Sequence, residues 1–308
     1  MLIYEKKSAL FFFIAVTFIL FGAYAHSASA AGGLEPEKLP LAKEETLKPS
    51  AALNEKAKTF KSIGERFDGE ELDFKISFWI FSSVARGHLT MEKESEGIYV
   101  VTFSAKTTGV ARWLRKRKDK YIERIEELDG GRRFRTLSLE EHSKIGSKKR
   151  KTITTIDHKE GVMSWTKWKN DKFRKTESLV IPEGRNYDGP FTAFYNFRYG
   201  AYGDITHDKE YLVKTFPKHQ DDELDIYIRL LNAGDSAKRI KKWRIKEADA
   251  EGGYMSAIKL DKELFDSKSG DIDMFFNSEM IPVKSVAKDI MLFGDVRAEF
   301  VPANESKD

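Results

Sequence analysis

The side chains of this chain best placed to do chemistry are cations set beside indoles. Arg112, Arg115, Lys116, Arg117, Lys118 and Lys120 surround Trp113 and Leu114. Lys148, Lys149, Arg150 and Lys151 form a second cluster, and Lys167, Lys169, Lys172, Arg174 and Lys175 lie among Trp165, Trp168 and Phe173. Such mixtures bind anions. At a membrane, indole sits at headgroup level and each cation gains ~1 kcal/mol near anionic lipid. The same mixture suits stacking on sugars or nucleic acid. The plainer alternative is a hydrated outer face with its tryptophans turned inward to pack. Residues 106–175 hold 22 basic and 10 acidic side chains, a surplus of 12, whereas the whole chain nets +4. Charge concentrated in this way points to a polyanionic partner.

Catalytic constellations are scarce. Asp271 and Asp273 share one strand face, and Asp221, Asp222, Glu223 and Asp225 form an acidic knot. They could hold a divalent cation or act as an acid/base pair; a solvated strand face and a polar hairpin loop are the simpler reading. His88, His142, His158, His207 and His219 are too far apart in sequence to make a local zinc pair. No HExxH, GxSxG, Walker loop or GxGxxG is present. No cysteine occurs, so thiolate chemistry, disulfides and a lipoprotein anchor are excluded. A non-enzyme is expected, with no catalytic residue, no metal and no cofactor.

The elements that must position these cations are strands. Leu72, Phe74, Ile76, Phe78 and Ile80 alternate with Glu71, Asp73, Lys75, Ser77 and Trp79, which gives a strand with one face on a core. Similar runs are expected at 87–94, 98–106, 120–128, 133–142, 151–158, 162–167, 174–181, 209–216, 224–231, 241–248, 254–260, 271–277, 283–288 and 294–301. Turn signals such as Asp129-Gly130-Gly131 and Ala233-Gly234-Asp235 separate them. This spacing predicts a large curved antiparallel sheet, an open or half barrel. One segment breaks the pattern. Asp188 can cap a helix that Pro190 opens; Phe191, Phe194, Tyr195 and Arg198 fall on one face, and Gly200 ends it. A lone aromatic helix beside a long sheet covers its concave face. The fold class is therefore mainly β, a sheet wrapped around a short central helix.

The N-terminus reads as an export signal. Lys6 and Lys7 precede a 16-residue apolar run from Ala9 to Tyr24, and Ala28-Ser29-Ala30 supplies small residues at −3 and −1. Cleavage is expected near Ala30, delivering the chain to the periplasm, with retention as an anchor the alternative. Residues 31–62, broken by Pro36, Pro40 and Pro49, read as a flexible linker. A single domain is expected over 63–301, with a disordered tail at 302–308.

Gly69-Glu70 with Leu72, Phe74 and Ile76, then Gly87, resembles the opening of the bacterial domain-of-unknown-function family 3108. Ile181-Pro182, Asp188, Thr192, Ala193, Tyr195 and Arg198 are similar to its central signature. Ile281-Pro282-Val283 and Gly294-Asp295-Val296-Arg297-Ala298 are similar to its closing strands. Met280 stands where that family often has Arg, and Met274-Phe275-Phe276-Asn277 departs from its aromatic strand. The resemblance implies an open barrel like those of the LolA/LolB envelope carriers, with an apolar cavity for acyl chains. It brings no function.

Two functions follow. In the first, the protein carries a lipid or lipid-linked molecule in a cavity lined by Phe74, Phe78, Phe191, Phe194, Tyr195 and Arg198. Arg112, Trp113, Arg115, Lys116, Arg117, Lys118, Lys149 and Arg150 then dock on an anionic membrane surface. In the second, it is an envelope scaffold or assembly protein whose basic face binds an acidic glycan or protein. Nucleic acid is not an expected partner, and a monomer is expected.

Overall fold

The computed structural model describes residues 60–78, 81–109, 116–217, 225–260, 267–290 and 294–302. The expected signal segment, most of the expected linker, the acidic knot at 221–223, His219 and the tail beyond 302 lie outside them. No helix among the described residues is long and apolar enough to cross a membrane.

A short helix α1 (Ile63–Phe67) leads into eight strands: β1 (Glu71–Phe78), β2 (Phe81–Ser95), β3 (Ile98–Thr107), β4 (Arg117–Leu128), β5 (Arg133–Ile145), β6 (Lys148–Asp157), β7 (Val162–Lys169) and β8 (Lys172–Val180). The central helix α2 (Pro190–Tyr199) follows, then β9 (Glu210–Lys214) and β10 (Asp225–Leu230). Helices α3 (Ala233–Trp243) and α4 (Glu247–Ala250) precede β11 (Tyr254–Lys259), β12 (Asp271–Phe276), β13 (Pro282–Ile290) and β14 (Gly294–Val301). All fourteen strands form one curved, unclosed antiparallel sheet in the order β8-β7-β6-β5-β4-β3-β2-β1-β14-β13-β12-β11-β10-β9. It is two meanders joined where β1 pairs with β14. The chain finishes one meander at edge strand β8, lays down α2, and starts the second at the opposite edge, β9.

The two-residue alternation builds the inner face. Leu72, Phe74 and Ile76 are buried, as are Tyr99, Val101 and Phe103 on β3 and Ile226, Ile228 and Leu230 on β10. Helix α2 fills the space they enclose. Every residue from Pro190 to Arg198 is buried, so the helix is covered on all sides, beyond the single stripe that its spacing predicts. Its rings reach both halves of the sheet: Phe191 meets Phe103 of β3 at 6.5 Å, and Phe197 meets Phe276 of β12 at 5.6 Å and Tyr211 of β9 at 5.4 Å.

Carboxylates of β4 and of the residue just before β1 hold the two ends of α2. At the start, the N-cap is Gly189 with no side-chain cap of its own, not Asp188. Glu123 of β4 takes that role: its carboxylate accepts from the Phe191 amide at 2.8 Å, the Thr192 amide at 3.3 Å and the Thr192 hydroxyl at 2.6 Å. The Thr136 hydroxyl donates to Glu123 and accepts from the Gly189 amide. A Cβ on Gly189 would overlap the Glu123 carboxylate, so the approach requires glycine. Asp188 instead accepts from Tyr202 and Asn196. At the far end, Arg198 donates two 2.6 Å bonds to Glu70 and one to the Met280 carbonyl. Phe67 and Phe194 pack on the guanidinium.

The alternating run at 241–248 is not a strand: it holds the end of α3, a turn at Arg244 and the start of α4. Asn232 caps α3 by accepting from the Asp235 amide, and left-handed Arg244 ends it. Ser236, Ile240 and Trp243 fit helical spacing as well as Trp243 and Ile245 fit alternation, and the cap decides between the two.

Two outcomes follow. Glu70→Ala leaves the Arg198 guanidinium buried without its carboxylate, and urea unfolding is expected to show a loss of ~3–5 kcal/mol; a loss under about 1 kcal/mol contradicts the tether. Burial pushes Glu123 up to about 7, with the hydrogen bonds from Thr192, Phe191 and Thr136 opposing. An acid raised in the folded state favours folding below its unfolded pKa, and that contribution fades as pH climbs through the folded value. The stability lost between about pH 5 and pH 8 is therefore expected to be smaller in Glu123→Gln than in the parent; equal losses contradict it.

Candidate functional site

The residues expected to line a lipid cavity sit in packed core. Phe74, Phe191, Phe194, Tyr195 and Arg198 are each at most 5% exposed. Tyr195 packs on Phe67 and Phe194, Arg198 is consumed by Glu70, and half-buried Phe78 packs on Phe81 at the strand end.

An open groove of about 960 Å³ lies on the other face of the sheet, crossing β1 to β7. Its chemistry follows from register. Each strand that buries one set of side chains against α2 turns the alternate set outward. The inter-strand pairs then bring outward residues into rows at right angles to the strands. One row runs Lys75, Arg86, Lys106, Lys118, Lys144, Lys149 across β1 to β6. The next runs Asp73, His88, Ser104, Lys120, His142, Lys151, Trp168 across β1 to β7. All but Lys75 line the groove, and Arg150 and Asp171 add to it.

The first row is all cationic. Neighbouring strands stand ~4.8 Å apart, and like charges directly opposite each other are destabilising. The Debye length at physiological salt is ~8 Å, so adjacent cations are not screened from one another. Relief within the protein is partial. Lys149 pairs with Asp171 at 2.8 Å, whereas Lys106, Lys118, Lys120, Lys144 and Arg150 make no ion pair among the described residues. The second row is mixed. His88 Nδ1 lies 2.9 Å from Asp73, His142 Nε2 lies 3.1 Å from Glu140, and Lys151 lies 3.4 Å from Glu140 and 5.6 Å above the Trp168 ring. Phe173, paired with Trp168 in register, is 60% exposed.

Of the expected anion-binding residues, Lys118, Lys149 and Arg150 line the groove together, and Lys116 is exposed outside its lining. Arg117 is a correction: it shares the inner face with Tyr121, is 2% exposed and pairs with buried Asp119. Arg112, Trp113 and Arg115 lie outside the described residues. Trp165 turns inward to pack, and Trp168 turns outward into the groove. Arg86, Lys106, Lys144, His88 and His142 were not singled out as binding residues; strand parity would have put each on the outer face, but only pairing register joins them. Asp273 is not a solvated carboxylate: it is buried between Arg239 of α3 and Lys288, whereas Asp271 pairs with Lys259.

No protein-family model matches this chain, and no curated protein matches it. Two solved structures are similar at 11% identity. One is a β-barrel-like protein of domain-of-unknown-function family 1849 from Brucella abortus, with a TM-score of 0.44 over 77% of this chain and 97% of that one. The other is the hypothetical protein CT021 from Chlamydia trachomatis, with a TM-score of 0.28 over 78% and 90%.

The crowded row has a measurable consequence. Lys118→Glu converts two repulsive neighbours, Lys106 and Lys144, into attractive ones. It is expected to raise the melting temperature by about 2 °C at low salt, with the gain shrinking as salt is added. A lower melting temperature would mean that the row is not under mutual repulsion.

Proposed function

We propose that this protein is a non-catalytic binding protein of the bacterial envelope that holds an anionic ligand in the outer groove. One observation carries the reading: a row of directly opposed cations, uninterrupted from Arg86 on β2 to Lys149 on β6, in a recess large enough to take a ligand. An anion laid along the row removes the repulsion and gains attraction from several cations at once. The export signal supports a site of action beyond the inner membrane, where phosphorylated and carboxylated polymers are abundant and the cations are free of cytoplasmic nucleic acid.

The lipid-carrier reading has less support. An acyl chain gains ~0.8 kcal/mol for each CH₂ it buries, but it needs an apolar space to enter. The side chains expected to provide that space pack against one another around α2. The resemblance to family 3108 rests on its motifs alone, and those motifs map to the helix tether: Glu70, Asp188, Thr192, Tyr195 and Arg198.

Inorganic polyphosphate titrated into the purified protein tests the groove without assuming a ligand class. Lys118→Glu combined with Lys144→Glu is expected to weaken binding roughly tenfold or more, and rising salt to weaken the parent in the same direction. Both residues are exposed, so the fold should be kept, which circular dichroism checks. Unchanged affinity in the folded double variant would contradict the proposal.

A further inference from the structure

Resting on the groove as the binding site, we infer that its ligand is an acidic polysaccharide lying across the strands. The two rows differ in a way that describes the ligand's two edges. The row from Arg86 to Lys149 offers only cations, which match repeated carboxylates or sulfates. The row from Asp73 to Trp168 offers a carboxylate, imidazoles, a hydroxyl and ammonium groups, which match an edge of neutral hydroxyls that both donate and accept. A chain with charge on one side and hydroxyls on the other is an acidic glycan.

The aromatic residues make the same choice. Among the described residues, Trp168 is the one Trp, Tyr or Phe in the groove lining, and it stands at the β7 end next to exposed Phe173. One aromatic step at the end of a cationic track can hold the apolar face of a terminal or bent sugar ring. A single-stranded nucleic acid asks for stacking faces repeated along the track, one for each base. An anionic membrane asks for apolar side chains projecting from a convex or flat surface, whereas these cations line a recess.

Polygalacturonate is the test probe, compared with inorganic polyphosphate, oligothymidine and phosphatidylglycerol vesicles. The intact protein is titrated at one salt concentration, and affinities are compared per unit of charge. Polygalacturonate is expected to bind most tightly. Trp168→Ala is expected to weaken polygalacturonate roughly tenfold while leaving polyphosphate unchanged, and Trp168→Tyr to restore most of the loss. The glycan inference is overturned, with the groove reading intact, by either of two results. One is polyphosphate, oligothymidine or vesicle binding that depends on Lys118 and Lys144 and is as tight as polygalacturonate binding. The other is a Trp168→Ala variant that affects polygalacturonate and polyphosphate alike. Polyanion binding that ignores Lys118→Glu and Lys144→Glu overturns both.

Discussion

The fold depends on a fully buried helix around which the unclosed sheet curls. Helix α2 is buried on all sides, and its aromatic side chains reach strands from both meanders. Burying each such side chain contributes ~1.5–3 kcal/mol, so packing outweighs the polar contacts and drives the helix inside. The buried ion pair between Arg198 and Glu70 is close to neutral in net energy against an apolar replacement, because desolvation offsets the attraction. Its value is positional. Together with Glu123 at the helix start, it fixes which turn of α2 meets which strand, and so how far the sheet curls before its edges β8 and β9 are left apart.

That arrangement decides where open cationic surface is left. The inner face is given over to the helix, and Arg117 there pairs with Asp119. The outer face of the first meander keeps the side chains that alternate with the core. Because residues 106–175 are rich in Lys and Arg, antiparallel pairing stacks those residues into rows instead of scattering them. A surplus that looks diffuse along the chain becomes a linear track. Several cations of the second meander are committed to carboxylates: Arg239 and Lys288 to Asp273, and Lys214 to Asp225.

The sheet and its helix could be read in advance because both are written in local periodicity. Leu72, Phe74 and Ile76 declare a half-buried strand, and Phe191, Phe194 and Tyr195 a helix face. Helix α3 could not, since Lys241 to Lys246 satisfies two periods at once and the deciding signal, the Asn232 cap, lies upstream at the far end of the helix. Alternation with Tyr121 already placed Arg117 inward, and a count of basic residues overlooks that. The cap from Glu123 to α2 and the meeting of Arg86 with Lys106, Lys118 and Lys144 depend on pairing between distant strands, which no local pattern encodes.

If anions bind the outer rows, and not the interior or the second meander, lysines on those rows must be shielded when the groove is filled. Lysine acetylation rates, read by mass spectrometry with and without bound polyphosphate, measure that shielding directly. Slowed modification is expected at Lys106, Lys118, Lys144 and Lys149, with Lys241, Lys242 and Lys259 unchanged. Protection spread evenly over all these lysines, or confined to Lys241 and Lys242 on α3, would contradict binding along the rows.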